Sequence, residues 1–304
     1  MVGTGQVQLP MSPKIREAEF MSLDIETPQG APLPAHPTAP AANPEPHQRA
    51  DADRIAVLSG GGPLPWIMIN ALIDRYGPVH VIEENKEPTS TLIKRRMKLV
   101  GPLSTIGQVT FGIVLKLLHK RSADRKQEII ANAALEPSAS DNCRLTHVES
   151  VNSKPCRAAL RAASPDVVLV VGTRMIRKAT LKSVAAPFIN YHAGINPKYR
   201  GMNGGYWALA TGDVDNAGVA IHLVDEGVDT GGIISMTKFE AGPNDNFVTY
   251  PVLQAAVGKP LVVDAIEDAL RSNLKTMEVD LPSEQWFHPT IWRYVWCGLT
   301  KGVW

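Results

Sequence analysis

The sequence predicts an α/β fold, a doubly wound, Rossmann-like and mostly parallel sheet. Two patterns point to it. Short apolar runs alternate with helical periods along most of the chain, which is the rhythm of helices laid over a parallel sheet. The first unit also runs strand, glycine turn, helix, strand over residues 54–83, the layout of a βαβ crossover. The chain has 304 residues, 44% of them hydrophobic and 20% charged, enough for one α/β domain with appendages.

Taken in order, Arg54 to Leu58 is a short strand ending in Ser59-Gly60-Gly61-Gly62. A helix is expected over 64–76 and a second strand over 79–83. Residues 89–135 read as helical and basic, carrying Lys94, Arg95, Arg96, Lys98, Lys116, Lys120, Arg121, Arg125 and Lys126. A strand at 144–148 and a helix at 154–163 follow. Asp166 to Val171 is an uninterrupted apolar run, as befits a strand covered on both faces. A short helix at 177–184, a strand at 187–191 and a helix at 202–210 come next. Strands at 218–224 and 233–239 precede a long helix at 247–271, expected to be interrupted near Gly258-Lys259-Pro260.

Both ends depart from this rhythm. Of 24 prolines, seven lie between Pro28 and Pro46, so residues 1–52 are expected to be a disordered, proline-rich extension. Order should begin at Arg54. Four of the six tryptophans fall between Trp286 and Trp304. Residues 273–304 therefore form an aromatic-rich segment, expected to pack back on the sheet or to make a dimer contact. The intervening 53–272 is one domain with the basic helical insertion at 89–135.

Lysines and arginines number 31 against 30 acids, a net charge of +1, which gives no reason to expect a nucleic-acid partner. Three cysteines without a C-x-x-C pair exclude a disulfide framework and a zinc site of that type. No metal is expected. The longest uncharged apolar run, 106–115, falls short of a bilayer span, and no signal-peptide core is evident. A cytoplasmic location is the expectation.

Three places could carry chemistry. The turn Ser59, Gly60, Gly61, Gly62 joins a strand to a helix N-terminus, where backbone N–H groups attract phosphate. Pro65 breaks the dinucleotide spacing, and a tight turn without ligand is the alternative. Asn190 and His192 stand two apart at a strand end and share a face. Beyond them runs Ala193 to Pro197, then Lys198-Tyr199-Arg200-Gly201. The third place is the acidic turn Asp225 to Gly232. An amide donor, an imidazole and a carboxylate suit acyl transfer to an amine. The amide and a protonated imidazole would stabilise an oxyanion, and the carboxylate would take the proton. The carboxylate should also raise the imidazole pKa.

The combination resembles the folate-dependent formyltransferases, a family including glycinamide ribonucleotide, methionyl-tRNA and sugar N-formyltransferases. Asn190-Tyr-His192 precedes Pro197-Lys-Tyr199-Arg200-Gly201, and Asp229-Thr-Gly231-Gly232 comes 37 residues after His192. The resemblance implies the formyltransferase fold, with Asn190, His192 and Asp229 catalytic. Asn190 and His192 would hold the formyl oxygen, and Asp229 would manage proton transfer. Ile195, Pro197, Asp225, Gly227 and Val228 would wall the donor, 10-formyltetrahydrofolate. Ser59 to Gly62, Tyr199 and Arg200 would hold the acceptor amine. Ala193 to Pro197 departs from the family's usual loop and alters the folate side. The basic insertion suggests a nucleotide- or lipid-linked amino sugar of envelope polysaccharide synthesis, with peripheral membrane contact through the basic helices. A ribonucleotide or methionyl-tRNA acceptor, formyl-folate hydrolysis and non-catalytic folate binding are the alternatives.

Overall fold

The computed structural model describes residues 50–304. The expectation of a proline-rich disordered extension therefore falls almost wholly outside the described residues. Its boundary is corrected: Asp51–Arg54 form a 3-10 turn with Ala52 buried, so the folded body reaches upstream of Arg54.

Strand β1 (Ile55–Ser59) is buried at every position and leads through the glycine turn into α1 (Pro63–Tyr76). Proline at the first helical position costs no hydrogen bond, because that N–H has no partner within a helix. Strand β2 (His80–Glu84) pairs parallel with β1. Helix α2 (Thr89–Arg121) follows, bent at Gly101, whose φ of 79° precedes Pro102. Then come α3 (Ala123–Asn132), the edge strand β3 (Arg144–Val148) parallel to β2, and α4 (Lys154–Ala163). Ser153 caps α4 by accepting from the Cys156 N–H at 3.2 Å.

The centre of the sheet is β4 (Val167–Val171), buried throughout and parallel to β1. After the single turn α5 (Lys178–Leu181) comes β5 (Phe188–His192), parallel to β4. The two-residue strand β6 (Arg200–Gly201) and α6 (Gly204–Thr211) lead to β7 (Gly218–Leu223) and β8 (Ile233–Lys238). Both of the latter pair antiparallel, β7 on β5 and β8 on β7. The sheet order is β3-β2-β1-β4-β5-β7-β8: five strands in parallel, then β7 running against them and β8 with them again. This is the predicted α/β architecture.

Helix α7 (Tyr250–Leu270) crosses the sheet unbroken, correcting the expected interruption at 258–260. Gly258 is there for contact: a Cβ would lie 2.5 Å from the Tyr191 ring, so the glycine lets α7 approach β5. Pro260 gives up one helical hydrogen bond, and the apolar face buried on the sheet compensates. Helices α1, α3 and α7 cover one face and α4 the other.

The C-terminal segment packs back on the fold. Its start meets the sheet edge, where the Met277 N–H donates to the Ile233 carbonyl of β8 at 2.7 Å. The rest forms β9 (Gln285–Trp286), paired parallel with β6, and α8 (Ile291–Lys301), which pack on α2 and α6. Phe111 of α2 lies 4.5 Å from the Tyr294 ring and Trp207 of α6 stacks 4.9 Å from Trp286.

Candidate active site

The polar cluster forms where the carboxyl end of β5 meets the antiparallel strand β7. Register places Asn190 directly opposite His222, and the loop after β7 brings Asp229 over both. His222 Nδ1 lies 2.7 Å from the Leu223 carbonyl. A carbonyl only accepts, so Nδ1 carries the proton and Nε2 is left as an acceptor. Asn190 Nδ2 then donates to His222 Nε2 at 3.0 Å and, more weakly, to Asp229 Oδ1 at 3.4 Å. The same reasoning fixes His192, whose Nε2–H donates to the Tyr199 carbonyl at 2.8 Å. Its Nδ1 faces Asp229 Oδ2 at 3.5 Å.

Asp229 is held by two donors. Oδ2 accepts from the Gly201 N–H at 2.9 Å and Oδ1 from Asn190 Nδ2 at 3.4 Å, while the unprotonated His222 Nε2 lies 3.5 Å from Oδ1 without donating to it. Its backbone is left-handed, φ 52°, a conformation that aspartate tolerates better than most residues. Gly201 makes this approach by having no side chain: its φ is 93°, and a Cβ would collide with the Trp286 carbonyl of β9.

The electrostatics differ from expectation. His192 is buried, and desolvation pushes its pKa below the ordinary 6.5 despite the attraction of Asp229. The predicted upward shift is therefore reversed, because burial outweighs the single carboxylate at 3.5 Å. Burial would raise the Asp229 pKa. Its neighbours His192 and His222 and the Gly201 N–H outweigh that and hold it at about 2. At neutral pH the site is an ionised carboxylate against a neutral imidazole. The geometry also corrects the expected hold of His192 on an oxyanion, since both ring nitrogens face protein atoms, Tyr199 O and Asp229.

The structure brings Asn190, His192 and Asp229 together and spreads the other expected residues around them. Ile195 is buried and packs toward Gly218 under β7. Pro197 is half-buried, and its carbonyl accepts from the Glu284 N–H. Asp225 shapes its own loop by accepting from Gly227 N–H at 2.9 Å and Thr230 Oγ1 at 2.7 Å. Arg200 Nη1 donates to the Val228 carbonyl at 3.0 Å, tying the β6 segment to the Asp229 loop. Tyr199 is corrected from an acceptor-binding to a structural group. It is buried, and its hydroxyl is engaged by Asp213 at 2.7 Å and Thr211 at 3.0 Å.

The glycine turn lies elsewhere, at the end of β1, two strands from β5 in the sheet order. It suits phosphate less well than its sequence promised. Gly60 N–H donates to the Val171 carbonyl and Gly61 N–H to Ser59 Oγ. Pro63 and Pro65 contribute no N–H to the first turn of α1. The Glu83 carboxyl sits 3.1–3.3 Å from where a Gly61 Cβ would be, which places negative charge beside the turn. Glu83 Oε2 is buried without a hydrogen-bond partner.

Sequence reasoning passed over two residues. His222 sits in an apolar strand, and only the antiparallel register with β5 reveals its place opposite Asn190. Asn196 is 1% exposed with both amide atoms unpartnered; its position between Ile195 and Pro197 was the available signal. No cluster of three or more metal-ligating side chains occurs among the described residues.

Comparison with known proteins accords with this site. A family profile described as formyl transferase matches residues 113–266, a stretch that contains the whole polar cluster and excludes the glycine turn. The methionyl-tRNA formyltransferase of Chlorobium chlorochromatii is 27% identical over 172 residues, covering 56% of this chain and 54% of the relative. That of Anaeromyxobacter dehalogenans is 34% identical over 119 residues, covering 39% and 38%. The chain thus spans about half or less of the length of these curated relatives. Among solved structures, a 4-N formyltransferase from Francisella tularensis aligns with a TM-score of 0.49 at 14% identity, over 77% of this chain and 76% of that one. Glycinamide ribonucleotide transformylase 1 from Symbiobacterium toebii aligns with a TM-score of 0.49 at 19% identity, over 75% and 92%. The profile match covers half of the chain, and the chain belongs to the formyl transferase family.

Proposed function

We propose that the protein is an N-formyltransferase that moves a formyl group from 10-formyltetrahydrofolate to a primary amine. The observation that carries this reading is the placement of Asp229, 37 residues beyond His192 in sequence, against both His192 at 3.5 Å and Asn190 at 3.4 Å. One residue supports the donor reading. Asn196, in the loop after His192, keeps a buried amide with donor and acceptor unspent, the kind of group that recognises a polar heterocycle.

Attack by the amine builds negative charge on the formyl oxygen and positive charge on nitrogen. Asn190 supplies the N–H for the oxygen. Its contact with Asp229 is the longer of its two, so that hydrogen is the one able to turn, while His222 holds the other. Asp229, partly exposed and ionised, accepts the ammonium proton directly or through one water. His192 stands behind it with Nδ1 unprotonated and takes up that proton, giving an imidazolium paired with the carboxylate; the proton then passes to N10 of the folate as its bond to the formyl carbon breaks, releasing tetrahydrofolate and the formamide. His192 is thus a proton store rather than an oxyanion donor.

The acceptor we favour is a nucleotide- or lipid-linked amino sugar. The basic segment α2–α3 supports an anionic group on it. Methionyl-tRNA is the competing acceptor, on the strength of the curated relatives. The three free cysteines suit a reducing cytoplasm. Incubating the full chain with 10-formyltetrahydrofolate and a panel of nucleotide amino sugars, glycinamide ribonucleotide and methionyl-tRNA tests the reading. Acceptor-dependent tetrahydrofolate release is expected. Full activity of His192→Ala or Asp229→Ala would overturn it, and formate release without any acceptor would make the protein a hydrolase.

A further inference from the structure

Helix α2 displays an apolar face that nothing among the described residues covers. Leu99, Leu103, Ile106, Val109, Ile113 and Leu117 are all exposed, Leu103 by 70% and Ile113 by 63%. At 100° per residue, those beyond the Gly101 bend fall within about 120° of one another, one continuous stripe about 21 Å long. The opposite face is fixed to the protein. Thr105, Gly107, Gln108 and Phe111 are buried, and Gln108 donates to the His288 carbonyl at 2.7 Å.

Helix α8 extends the surface. Trp292, Val295, Trp296 and Leu299 are exposed at i, i+3, i+4 and i+7, Leu299 by 74%. The two helices touch at Gly107, where a Cβ would collide with the Trp292 ring, so the tryptophan continues the edge of the stripe. Apolar side chains on this scale, side by side on two helices, mark an interaction surface.

Charge decides the occupant. Neither α2 nor α8 contains Asp or Glu. Lys94, Arg95, Arg96 and Lys98 precede the stripe, Lys116, Lys120 and Arg121 end it, and α8 adds Arg293 and Lys301. Arg95 is engaged by Glu87, and Lys301 Nζ donates to the Ala210 carbonyl at 2.7 Å, which leaves the other cations to the surface. A second copy docked here in either direction would set basic clusters against basic clusters. A spanning helix is excluded by the fixed inner face, although α2 is long and apolar enough to cross a membrane by length and composition. That last property corrects the sequence reading, which counted only the uncharged run 106–115.

We infer that α2 and α8 form a membrane-docking face that lies in the plane of an anionic bilayer surface. The apolar stripe enters the headgroup boundary, the flanking lysines and arginines meet the anionic headgroups, and the exposed tryptophans seat at the interface. The surface rests on the two helices alone, so vesicle binding tests it whatever the acceptor is.

The experiment is co-sedimentation of the full chain with vesicles of phosphatidylcholine, and of phosphatidylcholine mixed with an equal part of phosphatidylglycerol, with tryptophan fluorescence read in parallel. Binding is expected only to the anionic vesicles, with a blue shift of the emission and a loss of binding in high salt. Leu103→Glu with Ile113→Glu should weaken binding by about tenfold or more. Lys116→Glu with Lys120→Glu, which leaves the apolar stripe intact, should do the same. Circular dichroism of both variants should match wild type. Three results would overturn the proposal: no binding to anionic vesicles, binding unchanged in both folded variants, or a stable dimer of the full chain that Leu103→Glu dissociates.

Discussion

At the carboxyl ends of β5 and β7, four polar side chains meet in one cluster. Asn190, His192, His222 and Asp229 are linked by contacts of 3.0–3.5 Å, and both imidazoles are anchored by backbone carbonyls. At the ends of β1 and β2, the glycine turn is nearly bare of N–H donors and Glu83 keeps a buried oxygen without a partner. The first region is preorganised: its groups are fixed before substrate arrives, as charge stabilisation during reaction requires. The second leaves an acceptor group unspent, which suits recognition of a hydroxyl or an amine better than of a phosphate.

The largest effect should come from breaking the first region at its centre. Asp229→Asn keeps the size of the side chain and removes its charge, so formyl transfer should fall by about 10²- to 10⁴-fold in kcat. His222→Ala removes the partner that holds Asn190. A lost hydrogen bond of about 1.4 kcal/mol corresponds to about a tenfold drop in kcat, with the acceptor KM unchanged. An equal rise in KM would place His222 in acceptor binding instead.

The second region should respond differently. Glu83→Gln should raise the acceptor KM several-fold and leave kcat alone. If the turn binds phosphate after all, removing that charge would lower KM, so the sign of the change separates the two readings. The smallest effect is expected from Tyr199→Phe, which removes the hydroxyl bonded to Asp213 and Thr211. Stability should fall by about 1 kcal/mol with turnover preserved, measurable by urea unfolding.

Acid stability sharpens the contrast further. Asp229 is lowered from 3.8 to about 2, so its contribution is complete above the ordinary carboxylate range and is lost as pH falls through 2. His192 is lowered from 6.5, so the unfolded chain binds the proton more readily and stability starts to decline below 6.5. Unfolding curves across this range should show His192→Gln losing the upper part of the decline seen in wild type.

The parts of this picture that were legible in sequence are those whose cause is local. The apolar runs at 55–59 and 167–171 are strands because both of their faces are covered. Asn190 and His192 share a face because they are two apart on a strand. The site's remaining features depend on sheet order. His222 becomes a partner only through antiparallel pairing with β5, and Asp229 reaches His192 from a loop 37 residues on. Tyr199 looked like a ligand-binding residue because its partners, Asp213 and Thr211, come from the far end of α6. Glu83 belongs to the glycine turn only because β1 and β2 are neighbours.

The most direct test is the pH dependence of tetrahydrofolate release, followed with an active acceptor in wild type and in Asp229→Asn. The account predicts a wild-type rate that is flat through neutrality and falls on an acid limb centred below 6.5, where His192 gains its proton. The Asp229→Asn rate should be severely depressed throughout. An Asp229→Asn enzyme as fast as wild type, or an acid limb at or above 6.5, would contradict it.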